Sequence, residues 1–109
     1  MRRVVVTGLG IVSSIGNNAE EVTASLRAGK SGIEFAPDYA DLGFRSHIHG
    51  SIKLDPSEHI DRKLMRFMGN GAAYNYIAAQ QAIEDAGLEP ADVSNPMTGM
   101  VMGSGGPST

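Results

Sequence analysis

The hydrophobic positions of this chain change their spacing along the sequence, and the spacing predicts the elements. Val4, Val5 and Val6 are consecutive β-branched residues, which is typical of a short strand buried on both faces. Residues 97–102 form a second apolar run, and a glycine-rich turn follows it. Both runs therefore predict short core strands that end in glycine turns.

The first helix is predicted from its two end signals. Asn18 is a good N-cap, and Glu21 stands three residues later as a capping-box partner. Gly29 is placed to end the helix. Val22 and Leu26 are four residues apart, so we expect them to share the buried face.

The middle of the chain reads as a loop, an extended arm and a long helix. Residues 31–44 mix glycine, proline and aspartate, which favours a surface loop. Residues 45–54 alternate apolar and polar side chains, as in a half-buried strand. A helical stretch is predicted over residues 61–86, with an interruption near residues 69–71 and an end at Gly87.

Strand, helix, arm, long helix and strand together predict an α/β architecture. Two core strands are few for a parallel sheet, which normally extends further. We therefore expect residues 1–109 to be the N-terminal part of a larger domain, with no complete domain of its own.

Composition narrows the class of protein. The chain has 109 residues, a net charge of −3 and no cysteine. The charge gives no reason to expect nucleic-acid binding, and the missing cysteine excludes disulfides and thiolate metal sites. Without an apolar run of about 20 residues, no membrane span is predicted. We expect a cytoplasmic protein.

The strongest candidate for a binding site is a cluster of cations. Arg62, Lys63 and Arg66 place three of the nine basic residues within five positions, and helical spacing puts them on one side. Such a cluster is either a solvated helix face or a docking surface for an acidic partner. The apolar residues of the same stretch are expected to point inward: Leu64, Phe67 and Met68.

Two other ligand sites are weaker. Gly8 and Gly10 suggest a dinucleotide-binding turn, but Ser13 occupies the third glycine position and the helix begins too late. His47 and His49 share a strand face, but two ligands without further partners make a poor metal site. We predict no metal and no cofactor.

Six sequence motifs, taken in order, resemble the β-ketoacyl-acyl-carrier-protein synthases. They read RVVVTGLGIVSSIGNN, EEVTASLRAGKSGI, RSHIHGSIKLD, IDRKLMRFM, QAIEDAGL and GSGG. The third and fourth motifs favour the bacterial type I branch over type II. The resemblance covers the whole chain but only about the first quarter of such an enzyme.

The resemblance implies a homodimer with a thiolase-like layered αβαβα fold, of which this chain is an incomplete N-terminal part. The implied reaction is a decarboxylating Claisen condensation in fatty acid elongation. The cysteine and histidines that catalyse it in this family lie beyond residue 109, so no residue of this chain is expected to be catalytic.

The resemblance also assigns two sites. It implies that Arg62, Lys63 and Arg66 dock the acidic acyl carrier protein, and that Gly105 and Gly106 border the acyl pocket. Three rival hypotheses stay open. They are a type II synthase or related ketosynthase module, a non-catalytic carrier-binding module, and a nucleotide-binding protein that uses Gly8 and Gly10.

Overall fold

The structure is a computed structural model, and it describes residues 1–105. Its elements are α1 (Ala19–Arg27), β1 (Ile33–Phe35), α2 (Pro37–Asp41), β2 (Ile48–Gly50), a 3₁₀ turn (Pro56–Glu58), α3 (Arg62–Met65), α4 (Asn70–Ala86) and α5 (Pro90–Val93). They form two compact units. The first contains residues 1–10 and the described residues from Asp55 onward, and the second contains Ile11–Leu54. No described helix has the length and apolar character needed to cross a bilayer.

Local capping sets both ends of α1. The Asn18 side chain accepts the backbone N–H of Glu21 at 2.9 Å, and the Glu21 carboxylate accepts the N–H of Asn17 at 2.7 Å. Gly29 follows the helix with φ +64°, a left-handed conformation that glycine adopts without a steric penalty. The predicted cap and stop are confirmed.

The buried face of α1 differs from the prediction. Val22 and Ser25 are buried, whereas Leu26 is 67% exposed. The Ser25 hydroxyl donates to the carbonyl of Ile15 at 2.6 Å, so its burial leaves no polar group unsatisfied. Ser25 therefore faces the loop that precedes α1. The expectation that Val22 and Leu26 share the buried face is wrong.

The second unit contains an antiparallel pair of strands. β1 and β2 pair Ile33 with Gly50, Glu34 with His49, and Phe35 with Ile48. The strand predicted over residues 45–54 is thus present but shorter, because its partner has only three residues. The loop predicted over residues 31–44 is wrong in part, since it contains β1 and α2. Proline at the first position of α2 has the fixed φ that suits a helix start.

Helix α4 is the longest element, and it supplies buried residues to the core of the first unit. Gly69 is its N-cap and Gly87, with φ +67°, ends it, so the predicted interruption and the predicted stop are confirmed. Ala73 and Ile77 are buried on one face, four residues apart. Ile60 is also buried, and the 3₁₀ turn before it contacts both α3 and α4.

Neither predicted core strand forms within residues 1–105. Val4, Val5 and Val6 are exposed, as is the run 97–102. A strand exists only through hydrogen bonds to a neighbouring strand, and no described segment pairs with either run. Both runs have the apolar composition of strands, but the two strand predictions are wrong.

Candidate functional site

Helix α3 brings the three predicted docking residues onto one turn. Its N-cap is Asp61, whose carboxylate accepts the backbone N–H of Lys63 at 2.7 Å. The helical conformation continues to Arg66, with φ −60° and ψ −17°. Arg62, Lys63 and Arg66 are all exposed. We call these three residues the basic cluster.

The charges of the basic cluster are not neutralised by the part of the chain that the structure describes. Among residues 1–105 the Glu34 carboxylate pairs with the Lys53 ammonium and lies 3.7 Å from Nε2 of His49, and no such contact involves the basic cluster. The carboxylate nearest in sequence, Asp61, already caps α3. The cluster is therefore able to bind an external anion without first breaking an internal ion pair.

The apolar residues of the same stretch are more exposed than predicted. Phe67 is 83% exposed and Leu64 is 46% exposed, while Met68 is half-buried. The inward orientation expected for Leu64 and Phe67 is wrong, because α3 is a single turn and the described core lies at Ile60 and α4. The guanidinium carbon of Arg66 lies over the Phe67 ring, 5.4 Å from its centroid. Sequence reasoning missed this contact.

The glycines after the N-terminal valines contact α4. A Cβ atom on Gly8 would overlap the Ala82 carbonyl oxygen, and one on Gly10 would overlap the Ala78 carbonyl oxygen. The backbone N–H of Leu9, between the two glycines, donates to the Asp85 carboxylate at 3.0 Å.

This arrangement disfavours the nucleotide-binding hypothesis. The face of Gly8 and Gly10 is occupied by a helix backbone, and the amide between them is already bonded to a carboxylate. A phosphate would have to displace that carboxylate and would be repelled by it. These glycines serve close packing, which explains the two-residue spacing without a ligand.

A polar cluster beside the β1–β2 pair was also missed from the sequence. Glu34 on β1 accepts hydrogen bonds from the Lys53 ammonium and the Ser51 hydroxyl, and Lys53 also donates to Ser51 at 2.6 Å. These bonds, that from Lys53 first, lower the pKa of the Glu34 carboxyl. Ser51 and Lys53 are two residues apart, so the alternation predicted over residues 45–54 places them on the same face, which was the signal available.

His47, just before β2, and His49, within β2, both lie in ring contacts. His47 packs edge-on against Phe35, and His49 packs edge-on against Tyr39 with ring centroids 5.4 Å apart. Nε2 of His49 lies 3.7 Å from the Glu34 carboxylate. Within the described residues no group of three or more side chains is arranged to hold a metal ion.

The predicted acyl-pocket border lies at the limit of the described residues. Gly105 is exposed, and a Cβ atom built on it would meet nothing within 4 Å. Gly106 lies outside the described residues. The assignment of these two glycines to an acyl pocket stays a prediction.

The chain belongs to the β-ketoacyl synthase family. The sequence model of this family's N-terminal domain, described as "Beta-ketoacyl synthase, N-terminal domain", matches residues 1–109. The resemblance inferred from the six motifs is thereby confirmed.

Individual relatives carry more specific names. The chain is 63% identical over 105 residues to the "3-oxoacyl-[acyl-carrier-protein] synthase 1" of Haemophilus influenzae, a match that covers 96% of this chain and 26% of the relative. It is 55% identical over 109 residues to the protein of the same name from Escherichia coli K12, covering 99% and 27%. The chain thus spans about a quarter of the length of these curated relatives.

A solved structure gives the same fold. The structure described as "The ishigamide ketosynthase/chain length factor" matches with a TM-score of 0.73 and 39% sequence identity. The match covers 84% of this chain and 23% of that chain. The predicted fold class, the N-terminal part of the α/β ketosynthase (thiolase-like) fold, is confirmed.

Proposed function

We propose that this sequence is the N-terminal quarter of a 3-oxoacyl-acyl-carrier-protein synthase, an acyltransferase of fatty acid elongation. The supporting facts are the family membership over residues 1–109 and the 55–63% identity to relatives that carry this name. Both of those relatives are named synthase 1, which favours the type I branch over type II.

The proposed reaction joins two acyl thioesters. An acyl group moves from its carrier to an enzyme cysteine, and a malonyl thioester loses CO₂ to leave a carbanion. The carbanion attacks the acyl-cysteine carbonyl, a C–C bond forms, and the cysteine thiolate leaves. These 109 residues contain no cysteine, so we assign them no part in the covalent steps.

The contribution of this segment is to dock the carrier. One observation supports this assignment above the others, namely that Arg62, Lys63 and Arg66 are exposed on one helical turn and form none of the described ion pairs. Acyl carrier proteins are acidic. Complementary charge steers such a partner to the surface and raises its association rate.

Three further assignments belong to this proposal. Residues 1–109 form part of the synthase N-terminal domain, and the whole enzyme works as a cytoplasmic homodimer. Gly105 and Gly106 border the pocket for the growing acyl chain. The open space around Gly105 is consistent with an approaching ligand, and Gly105→Val should then impair long acyl substrates more than short ones.

The test is a charge reversal in a full-length synthase that carries this sequence. Replacing the basic cluster by three glutamates should raise the KM for acyl-carrier protein by roughly ten- to a hundredfold, because attraction becomes repulsion. The KM for acyl-coenzyme A, which does not need the docking surface, should change much less.

A matched control keeps the change of net charge the same. Arg2, Arg3 and Lys30 are exposed and lie outside the cluster, so their replacement by three glutamates should leave the carrier KM near the wild-type value. Equal impairment with both acyl donors, or equal impairment by the control variant, would contradict a docking role. Carrier binding by the wild-type protein without any condensation activity would point instead to the non-catalytic carrier-binding module.

A further inference from the structure

We infer that the three charges of the basic cluster are not equivalent. Phe67 is a positioning residue, and its ring orients the Arg66 guanidinium for a two-point contact with a carboxylate of the partner. This inference rests on the proposed docking function and refines it, because it names the chemical group that Arg66 selects.

The contact itself is unusual for neighbouring residues. Side chains one position apart on a helix diverge by about 100° and do not normally meet. Here α3 ends at Met65 and Arg66 is its C-cap, so the chain leaves the helix at Phe67. The guanidinium carbon then lies 5.4 Å from the ring centroid, within the range in which a cation is attracted to the face of a ring.

The contact has a chemical consequence for binding. An arginine held beside a ring keeps a planar fork of N–H donors, and this fork can bind both oxygens of a carboxylate. Because the ring restricts the long arginine side chain before binding, less conformational freedom is lost when the partner arrives.

The other two members of the cluster lack this support. Among the described residues, the structure contains one cation–π contact, and it joins Arg66 to Phe67. Arg62 and Lys63 are exposed without one, so they attract the partner by charge. A lysine at position 66 would keep the charge but lose both the flat face and the fork of donors.

The experiment therefore conserves charge. In the full-length synthase, Arg66→Lys should raise the KM for acyl-carrier protein about two- to fivefold, with kcat and the KM for acyl-coenzyme A unchanged. Arg62→Lys is the matched control, because it makes the same chemical change four residues away without a ring beneath it. Its effect on the carrier KM should be clearly smaller than that of Arg66→Lys, because lysine keeps the charge that Arg62 contributes.

The role of the ring is tested separately. Phe67→Leu keeps an apolar side chain and removes the aromatic face, so it should raise the carrier KM as Arg66→Lys does. The double variant should be no worse than either single variant, because both remove the same interaction.

Each outcome decides a different question. If Arg66→Lys and Arg62→Lys have equal effects, or if the effects of Arg66→Lys and Phe67→Leu add, the positioning role is rejected while the charge-reversal result still stands. If Phe67→Leu impairs both acyl donors alike, the ring supports the fold and not docking. If the charge reversal itself has no effect on the carrier, the proposed docking function fails.

Discussion

A cluster of cations in the first unit and a lysine in the second unit have different surroundings. In the first unit, Arg62, Lys63 and Arg66 are exposed and form none of the described ion pairs. In the second unit, Lys53 donates hydrogen bonds to Glu34 on β1 and to Ser51 two residues away. A lysine bound in this way joins β1 to the segment that follows β2, whereas three unpaired cations on one helical turn together attract an anionic molecule. The groups that a charged side chain contacts, more than the sign of its charge, indicate the role of that side chain.

The units also differ in how they hold their extended segments. The second unit joins β1 to β2 through backbone pairing and the side chains of Glu34, Ser51 and Lys53. The first unit holds residues 8–10 against α4 by direct backbone approach, for which glycine is required. Close packing tolerates substitution poorly, and exposed side-chain pairs tolerate it well.

The largest expected effect is on stability, and it comes from disrupting the close approach of residues 8–10 to α4. Gly10→Ala places a Cβ atom inside the van der Waals radius of the Ala78 carbonyl oxygen, an overlap that backbone atoms must move to relieve. We expect the free energy of unfolding to fall by about 3 kcal/mol or more, measured by urea denaturation.

The control for this variant is another glycine of the same unit. Gly71 lies in α4, and a methyl group added to it would meet nothing within 4 Å. Gly71→Ala should therefore be neutral or stabilise the protein by up to about 1 kcal/mol. If both alanine variants destabilise equally, the packing role of Gly10 is refuted.

The salt dependence of the carrier KM should distinguish the basic cluster from Lys53. The Debye length falls from about 10 Å at 0.1 M to about 3 Å at 1 M salt. Carrier docking by the basic cluster acts over distance, so its KM should rise steeply with salt in the wild type and little in the charge-reversed variant. The Glu34–Lys53 contact is short and hydrogen-bonded, and Lys53→Met should leave this salt dependence unchanged. A salt slope altered by Lys53→Met would place that residue in docking.

Sequence reasoning succeeded where the determining contacts are local. The cap at Asn18, the stops at Gly29 and Gly87, and the basic cluster on α3 each depend on residues within one or two helical turns. The spacing of a few residues is visible in the sequence, so these features were predicted correctly.

Sequence reasoning failed where the determining partner is distant. Val4, Val5 and Val6 have the composition of a strand, but pairing requires a neighbour that composition does not identify. Glu34 and Lys53 meet across 19 positions, and the pairing of β1 with β2 that brings them together was not predicted. The exposure of Phe67 depends on which face of a one-turn helix meets the core, and periodicity is ambiguous over four residues.

A smaller effect is expected from pH in the second unit. The bonds from Lys53 and Ser51 lower the pKa of Glu34 below the ordinary value of 4.5. A carboxyl whose pKa is lowered by folding stabilises the folded state above its unfolded pKa and loses that contribution as the pH falls through the folded pKa. Glu34→Gln should therefore lower the melting temperature slightly at pH 7, and the difference should shrink below pH 4.5. A difference that grows in acid would contradict this assignment.

The smallest expected effect concerns Asp55, a carboxylate of the first unit that is hydrogen-bonded to a neighbour in sequence. Asp55 accepts the backbone N–H of Ser57 at 2.9 Å and its hydroxyl at 2.7 Å, and these bonds lower the pKa of the Asp55 carboxyl. The sign is the same as for Glu34, so the stabilisation is present at neutral pH and is lost in acid.

An amide keeps an acceptor oxygen at this position without the charge. Asp55→Asn should therefore melt slightly below the wild type at pH 7, and Asp55→Ala, which removes the cap, should melt lower still. In acid the wild type carries a protonated carboxyl, whose remaining oxygen accepts hydrogen bonds much as an amide does. The wild type and Asp55→Asn should then converge while Asp55→Ala stays below both. If all three proteins converge, the charge of Asp55 supplies the whole stabilisation, and this acid is a bound charge of the same kind as Glu34 in the second unit.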